Sequence, residues 1–168
     1  AEDGIRDVAV TGVQTCALPI FSGNYGSMHV DGDDAQIPVS MISIDQANLE
    51  KPDLIKINVE GSEYGVLKGA MKTIAKHMPI MYYEAHETHH FKEIYELLTT
   101  LEYDLYWAQV NNFNPNNMKR NIINVFGNSA LFSIIVWPKA YSKLPLNSVE
   151  GPDDSCYKLN SRIAAGRK

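Results

Sequence analysis

Apolar and polar residues alternate over residues 54–60, LIKINVE, which is the pattern of a β-strand. One face of this strand would carry Ile55, Ile57 and Val59. The other face would carry three polar side chains, those of Lys56, Asn58 and Glu60. Directly after Gly61 the apolar positions change to helical spacing, so the sequence predicts a strand that passes almost at once into a helix. The apolar stripe of this helix would comprise Tyr64, Leu67, Ala70, Met71 and Ile74.

The same order of elements repeats further along the chain. Residues 79–86, PIMYYEAH, predict a second strand, and residues 89–101 predict a second helix. The apolar stripe of this second helix would comprise Phe91, Ile94, Tyr95, Leu98 and Leu101. Two more strands are predicted at 103–110 and 130–138, separated by an asparagine-rich segment that is too long for a tight hairpin turn. A shorter strand is predicted to end at Asp45. Strands that alternate with helices predict an α/β fold whose sheet is mainly parallel, with helical crossovers.

Residues 1–20, AEDGIRDVAVTGVQTCALPI, resemble an in-frame translation of the indexed adaptor used in short-read sequencing libraries. A signal peptide is not indicated, because the basic start, apolar middle and small-residue cleavage site are absent. We therefore set this segment aside as an artefact and expect the chain to be a fragment that lacks the N-terminal half of its domain. The remaining chain would form a domain over residues 21–139 and an irregular tail over residues 140–168.

Composition and charge exclude several classes of function. The net charge is -5 at pH 7 and there is no basic patch, which argues against a nucleic-acid partner. No apolar run has the length needed to span a membrane. Cys156 is the one cysteine outside the adaptor-like segment, so no disulfide is expected, and a reducing compartment, the cytoplasm, is the default. The sequence does not indicate an oligomeric state.

The ends of the two best-defined strands carry the candidate site residues. In open α/β sheets, ligands bind beyond the carboxyl ends of the parallel strands. The first strand ends with Asn58, Glu60 and Gly61, and the second ends with Glu84 and His86. These side chains are therefore the candidates for binding and catalysis at the rim of a cleft.

Three further residues have predicted structural roles. Lys56 would form an ion pair with Glu84 if the two strands are neighbours in the sheet. Glu63 lies in the first turn of the predicted helix, where a carboxylate suits the helix dipole. Gly69 belongs to a series of glycines spaced four residues apart, which indicates close packing of the helix against the sheet. An alternative explanation is that the polar residues at these strand ends are only structural. In that case they would form an ion pair, and the glycine would only begin the helix.

The segment 86–90, HETHH, raises the question of a metal site. His86 ends a strand whereas His89 and His90 open a helix, and adjacent helical residues face different directions. The spacing also differs from H-E-x-x-H. A solvated helix start is therefore the preferred interpretation, and we expect no bound metal. Motifs of the dinucleotide-binding type, G-x-G-x-x-G, and of the serine-nucleophile type, G-x-S-x-G, do not occur.

Residues 38–86 resemble the FkbM family of S-adenosylmethionine-dependent methyltransferases. The family shows, in order, a short strand ending in Ile-Asp or Leu-Asp, a strand of the form I-K-I-D-V-E-G, a helix with V-L-K-G-A, and a strand with an acidic end. The corresponding pieces in this chain are Ile44-Asp45, residues 55–61, residues 66–70, and Glu84 with His86.

The resemblance implies the C-terminal half of a Rossmann-like (class I) methyltransferase with S-adenosylmethionine as the methyl donor. The acceptor would be a small molecule or glycan, through a hydroxyl group of a sugar, a lipid-linked glycan or a secondary metabolite. By position, Asn58 and Gly61 would lie at the donor, and Glu60, Glu84 and His86 would be catalytic, with Glu84 or His86 as the proton acceptor.

Two other functions remain open at this point. The chain would be a non-catalytic α/β module if its polar strand ends are only structural. It would be a metal-dependent hydrolase if His86, Glu87 and His89 bind a metal. On the methyltransferase interpretation, the glycine-rich loop that holds the donor is missing from the sequence. We therefore expect the isolated chain to be inactive.

Overall fold

The computed structural model describes residues 15–18, 29–31, 37–39, 41–59, 61–85 and 90–166, with the first three ranges described as backbone. The chain divides into two compact units, Ala1–Ile80 and Met81–Lys168.

The first unit begins with an antiparallel sheet of three short strands. These are β1 (Thr15–Leu18), β2 (His29–Asp31) and β3 (Ile37–Val39), and β1 lies in the middle. Strand β1 belongs to the segment that was set aside as adaptor-derived. The backbone of β1 pairs with two other strands. This pairing does not show where the residues come from, so the adaptor interpretation stays a prediction.

The remaining elements of the first unit are α1 (Ile44–Ala47), β4 (Leu54–Ile57), α2 (Glu63–Lys68) and α3 (Met71–His77). Alternation along β4 follows the predicted pattern, since Ile57 is buried while Leu54 and Lys56 on the opposite face are exposed. The buried positions of the two helices are those of an amphipathic stripe: Val66, Leu67, Ala70 and Ile74.

The single helix predicted after Gly61 is divided into α2 and α3 at Gly69. A Cβ atom at Gly69 would lie 3.1 Å from Cβ of Ser43, so the chain approaches this position closely. The carbonyl oxygen of Gly69 accepts a hydrogen bond from the backbone of Asp45, at 2.9 Å. This tertiary contact falls where the two helices meet, which is a feature that apolar spacing does not reveal.

The carboxylate of Asp45 caps the beginning of α3. It accepts hydrogen bonds from the backbone N–H groups of Lys72 (3.0 Å) and Thr73 (2.9 Å) and from the Thr73 hydroxyl (2.8 Å). Desolvation acts to raise the pKa of Asp45, but these donors outweigh it and lower the pKa below its ordinary value.

The predicted strand ending at Asp45 is wrong. Strand β3 ends at Val39, and Asp45 lies in helix α1. The physical reason is a capping box: the Ser43 hydroxyl accepts from the backbone of Gln46 at 3.1 Å, and the Gln46 side chain accepts from the backbone of Ser43 at 2.9 Å. This reciprocal pair starts a helical turn despite the apolar alternation that surrounds it.

The second unit contains β5 (Ile80–Glu84), α4 (Phe91–Thr100), β6 (Tyr103–Asn111), β7 (Ala130–Pro138) and α5 (Cys156–Gly166). Strand β7 lies between β5 and β6 and pairs with both in antiparallel register. The α/β class is therefore confirmed, whereas the mainly parallel sheet is wrong. The reason is that no helix connects β6 to β7, so the chain reverses its direction between them.

Aromatic and aliphatic side chains form the core of this unit. The rings of Phe91 in α4 and Trp107 in β6 stack with centroids 5.9 Å apart, and Phe132 meets Trp107 edge to face at 6.4 Å. Burial along α4 follows the predicted stripe at Phe91, Ile94 and Leu98. The other fully buried large side chains include Tyr103, Met81, Ile134, Val136 and Leu159.

Residues 140–168 were predicted to be an irregular tail, and the structure places helix α5 within them. One buried carboxylate attaches this helix to the sheet. The side chain of Asp154 accepts a hydrogen bond from the Trp107 indole at 3.0 Å, and the Arg162 guanidinium donates to both of its oxygens, at 2.9 and 3.0 Å. Leu159 packs in the core from the same helix. Long-range contacts of this kind leave no periodic trace in the sequence.

Asp154 is ionised over the whole ordinary pH range. Desolvation acts to raise its pKa, but the side-chain hydrogen bonds from Arg162 and Trp107 prevail. The backbone N–H groups of Glu150 and Ser155 add to them, at 3.0 and 2.8 Å, and the pKa of Asp154 is held far below its usual value.

We expect Asp154→Asn to destabilise the protein by about 3 kcal/mol, because Arg162 would keep a charge whose buried partner is gone. Urea unfolding followed by tryptophan fluorescence measures the loss. Asp153→Asn is the matched control, since Asp153 is an exposed neighbour whose side chain forms none of these bonds. Equal losses in both variants would contradict this role of Asp154.

The effect of Asp154→Asn should also depend on pH in one direction. A carboxyl whose pKa is lowered by folding stabilises the protein above the pKa of the unfolded group, about 3.9. That stabilisation is lost as the pH falls below this value towards the folded pKa. The stability difference between the original protein and Asp154→Asn should therefore be constant near neutrality and shrink below about pH 4.

Candidate functional site

The carboxyl end of β4 presents polar groups to solvent. Asn58 is the first residue after the strand and is exposed, Val59 is half-buried, and Gly61 is exposed. Glu60, which was predicted to be catalytic, lies outside the described residues. The structure places Asn58 and Gly61 in one short turn between β4 and α2, and their predicted role at the donor stays a prediction.

Glu63 holds this turn together. Its Oε1 atom accepts hydrogen bonds from the backbone N–H groups of Val59 (3.4 Å) and Gly61 (3.3 Å). The Ser62 N–H also donates to the carbonyl oxygen of Val59, at 3.2 Å. A carboxylate in the first turn of α2 therefore fixes the backbone that precedes the helix, which is a more specific role than the expected interaction with the helix dipole.

Gly61 adopts a backbone conformation that favours glycine, with φ of 95°. An added Cβ atom would meet no heavy atom within 4 Å, so the space above this backbone is open. The turn therefore needs glycine for its conformation, and the open space leaves the peptide accessible to a ligand.

Lys56 lies in the middle of β4 on its exposed face. Its predicted partner Glu84 belongs to the second unit, and the ion pair between them stays a prediction.

Glu84 is the last residue of β5 and is half-buried. It lies opposite Ser133 of β7, a buried residue, and the next N–H group along the chain, that of Ala85, donates to the Phe132 carbonyl at 3.0 Å. The β5–β7 ladder therefore fixes the backbone on both sides of this carboxylate. His86, Glu87 and His89 lie outside the described residues, so the predicted role of His86 is not addressed.

His90 is an exposed residue in the left-handed region, with φ of 62°, immediately before α4. Its Nδ1 atom lies 3.5 Å from Oε1 of Glu93. Within the described ranges, no group of three His, Cys, Asp or Glu side chains has the arrangement of a metal site. Because most of the segment 86–90 falls outside those ranges, the expectation of no bound metal stays a prediction.

Sequence reasoning did not find a cleft in the second unit. It has a volume of about 470 Å³ and lies between α4, β6 and the chain that follows β7. Its polar lining includes Tyr95, Thr99, Asp104, Lys139 and Lys143. Burial raises the pKa of Tyr103, whose side chain also lines the cleft. The lining comes from three separate segments, which is why no local motif marks it.

Comparison with known families identifies the chain. The sequence pattern of the methyltransferase FkbM domain matches residues 7–105, which is more than half of the chain. The chain belongs to the FkbM methyltransferase family. The match contains the whole of residues 38–86, so the resemblance stated from the sequence is confirmed.

The extent of the FkbM match bears on two other expectations. It covers every element from β1 to α4 and the first residues of β6. It also begins at residue 7, inside the segment interpreted as adaptor, so the limits of that segment stay a prediction. No curated protein and no solved structure matches the chain significantly. No helix in the described part of this FkbM chain is both long and apolar enough to cross a membrane.

We expect Gly61→Ala to destabilise the protein by about 1–2 kcal/mol, because an L-residue is strained at this positive φ although there is room for the methyl group. Gly151→Ala is the matched control, since Gly151 also has open space around its Cβ position but no positive φ. Thermal unfolding followed by circular dichroism compares the two. A similar loss in both variants would contradict the strained turn.

Proposed function

We propose that the protein is an S-adenosylmethionine-dependent methyltransferase that methylates a hydroxyl group of a sugar, a glycan or a secondary metabolite. The observation that carries the proposal is the FkbM match over residues 7–105. The polar turn at the carboxyl end of β4 supports it, because ligands of open α/β folds bind at such strand ends.

Asn58 and Gly61 are the proposed donor-side residues. The exposed amide of Asn58 can both donate and accept hydrogen bonds. The open space at Gly61 allows the backbone to approach a ligand without a side chain between them. Glu63 fixes the turn that carries both groups, so its part in binding is to hold the turn in place before the donor arrives.

The bound donor would supply an electrophilic methyl group attached to a sulfonium centre. The chain's part is to hold the acceptor oxygen in line with that methyl group and to take its proton. Glu60, Glu84 and His86 are the proposed groups for this task. The methyl group would pass from the donor's sulfur to the acceptor oxygen, the electron pair of the broken S–CH₃ bond would stay on sulfur, and the hydroxyl proton would pass to Glu84 or His86.

Glu84 has a position that suits a proton acceptor. It is half-buried, so its charged form is partly shielded from water, and the β5–β7 ladder fixes its backbone. Asn58 cannot act as a base, because an amide has no ionisable proton-accepting form at ordinary pH. Proton transfer is therefore assigned to the end of β5, and donor contacts are assigned to the end of β4.

We also infer that the 168-residue chain alone binds the donor weakly, since its sequence contains no G-x-G-x-x-G motif. Isothermal titration calorimetry with S-adenosylmethionine should show no saturable binding at micromolar concentrations. Saturable micromolar binding would overturn this inference and would leave the family assignment unaffected.

The methyl transfer itself is tested on a form of the protein in which residues 1–20 are replaced by the sequence that genomic DNA encodes before Phe21, since we propose that these residues derive from an adaptor. We expect transfer of labelled methyl from S-adenosylmethionine to a hydroxyl acceptor, and a decrease in kcat of about 10²-fold or more in Glu84→Gln. Glu96→Gln, on the exposed face of α4, is the matched control and should keep full activity.

Three outcomes would contradict this assignment. Equal activity of Glu84→Gln and the control would remove Glu84 from the reaction. A stop codon directly upstream would remove the expected donor-binding segment. Stoichiometric zinc or manganese in the purified protein, found by elemental analysis, would favour metal-dependent hydrolysis instead.

A further inference from the structure

Charge is distributed unevenly along the second unit. Between Leu105 and Val149 the sequence contains four cationic residues and no aspartate or glutamate, although the whole chain carries a net charge of -5. Two of the cations, Lys119 and Arg120, are adjacent and exposed within the segment 112–129 that joins β6 to β7. We call this segment the β6–β7 loop.

The β6–β7 loop also exposes large apolar side chains. Five of them lie within nine residues and are between 53 and 97 % exposed: Met118, Ile122, Ile123, Val125 and Phe126. Val110 and Leu131, in the strands on either side, are exposed as well. Exposed apolar side chains concentrated in one segment mark an interaction surface more often than the same number scattered singly.

Asparagine side chains hold the backbone of this loop in shape. Asn117 donates from Nδ2 to the carbonyl oxygens of Asn114 (2.9 Å) and Asn121 (2.7 Å), and its Oδ1 accepts from the backbone of Asn121 at 3.0 Å. Asn124 bridges the next turn, accepting from the Phe126 N–H at 2.9 Å and donating to the Gly127 carbonyl at 2.7 Å. The amides satisfy backbone groups locally, so the apolar side chains remain directed to solvent.

We propose that the β6–β7 loop binds the surface of a bilayer that contains anionic phospholipid. The exposed apolar side chains enter the boundary between headgroups and acyl chains, while Lys119 and Arg120 remain among the headgroup phosphates. This is attachment to one leaflet, and it requires no membrane-spanning helix.

Charge complementarity favours anionic lipid over neutral lipid as the surface that is bound. Without acidic residues in the surrounding sequence, the loop meets a negative surface without local repulsion. Among the described residues, neither Lys119 nor Arg120 takes part in an ion pair, so both charges are available.

The kind of side chain favours lipid over nucleic acid or protein. Isoleucine, valine and methionine offer nothing to phosphate or base edges, so nucleic acid would leave the exposed apolar surface uncovered. A protein partner needs a contiguous patch with a well-packed centre. Here the apolar side chains are interspersed with asparagines and are largely surrounded by solvent, with Met118 at 97 % exposure, which suits a fluid surface.

Co-sedimentation with phospholipid vesicles tests the proposal on the 168-residue chain. The chain should sediment with mixed phosphatidylserine–phosphatidylcholine vesicles and much less with pure phosphatidylcholine vesicles, and added salt should release it. Changing both Lys119→Gln and Arg120→Gln should weaken binding about 25-fold, because each cation near an anionic surface contributes about a fivefold increase in affinity.

A second variant tests the apolar contribution. The combined changes Ile122→Ser, Ile123→Ser and Phe126→Ser should abolish binding, whereas Leu49→Ser, at a similarly exposed apolar residue of the first unit, should not alter it. Lys76→Gln combined with Lys92→Gln is the control for charge, since both residues are exposed and lie outside the loop. Circular dichroism establishes whether each variant is folded. If the apolar variant is unfolded, the vesicle binding of the charge variant decides whether the loop binds anionic lipid.

Several results would overturn the proposal. These are equal binding to neutral and anionic vesicles, equal losses in the loop variants and their controls, or no binding to either kind of vesicle. Dimerisation that the apolar loop variant abolishes, without vesicle binding, would identify a second copy of the chain as the occupant.

Discussion

The antiparallel pairing of β6 with β7 is the constraint on which the second unit depends. Nine residue pairs form the ladder, from Tyr103 opposite Pro138 to Asn111 opposite Ala130. A slip of one residue would turn every side chain to the other face, moving Trp107 away from its stacking partner and from the carboxylate that attaches α5. This register also determines the position of β5 in the sheet, because β7 pairs with β5 along its other edge.

Three carboxylates stabilise the fold in addition to the apolar core. The donors of their hydrogen bonds lie at increasing distances along the chain. Glu63 accepts from backbone groups two and four residues away. Asp45 accepts from residues 27 and 28 positions further on, and Asp154 is bound by an indole 47 positions away. Each one satisfies several donors at once, so the free energy of desolvating its charge is offset by more than one hydrogen bond.

The elements that could be predicted from the sequence are those with strong local patterns. The predicted limits of the strands at 103–110 and 130–138 agree closely with β6 and β7, and the apolar stripe of α4 is buried as expected. The direction of β7 could not be deduced from periodicity, because parallel and antiparallel strands alternate in the same way. Likewise, the division between α2 and α3 depends on Ser43 and Asp45, which are distant in sequence.

Some features of the candidate site could likewise be predicted from neighbouring residues, whereas others depend on contacts that only the three-dimensional structure shows. The strand that precedes Asn58, the glycine turn and the family could be predicted from consecutive residues, since one motif contains them all. The acceptor role of Glu63 needed three-dimensional geometry, because charge and position in the helix predict only an interaction with the dipole. The ion pair of Lys56 with Glu84 stays a prediction, because it concerns residues of two different strands and no local pattern determines it.

The asparagine-built β6–β7 loop has a consequence for the chemical ageing of the protein. Side-chain amides hydrolyse spontaneously over time, and each event converts a donor into a carboxylate. At Asn117 the new oxygen would face two carbonyl oxygens at the present donor distances of 2.9 and 2.7 Å, replacing two attractive contacts with repulsion. The loop would then also acquire its first negative charge. The conformation of this segment therefore depends on its side-chain amides staying intact.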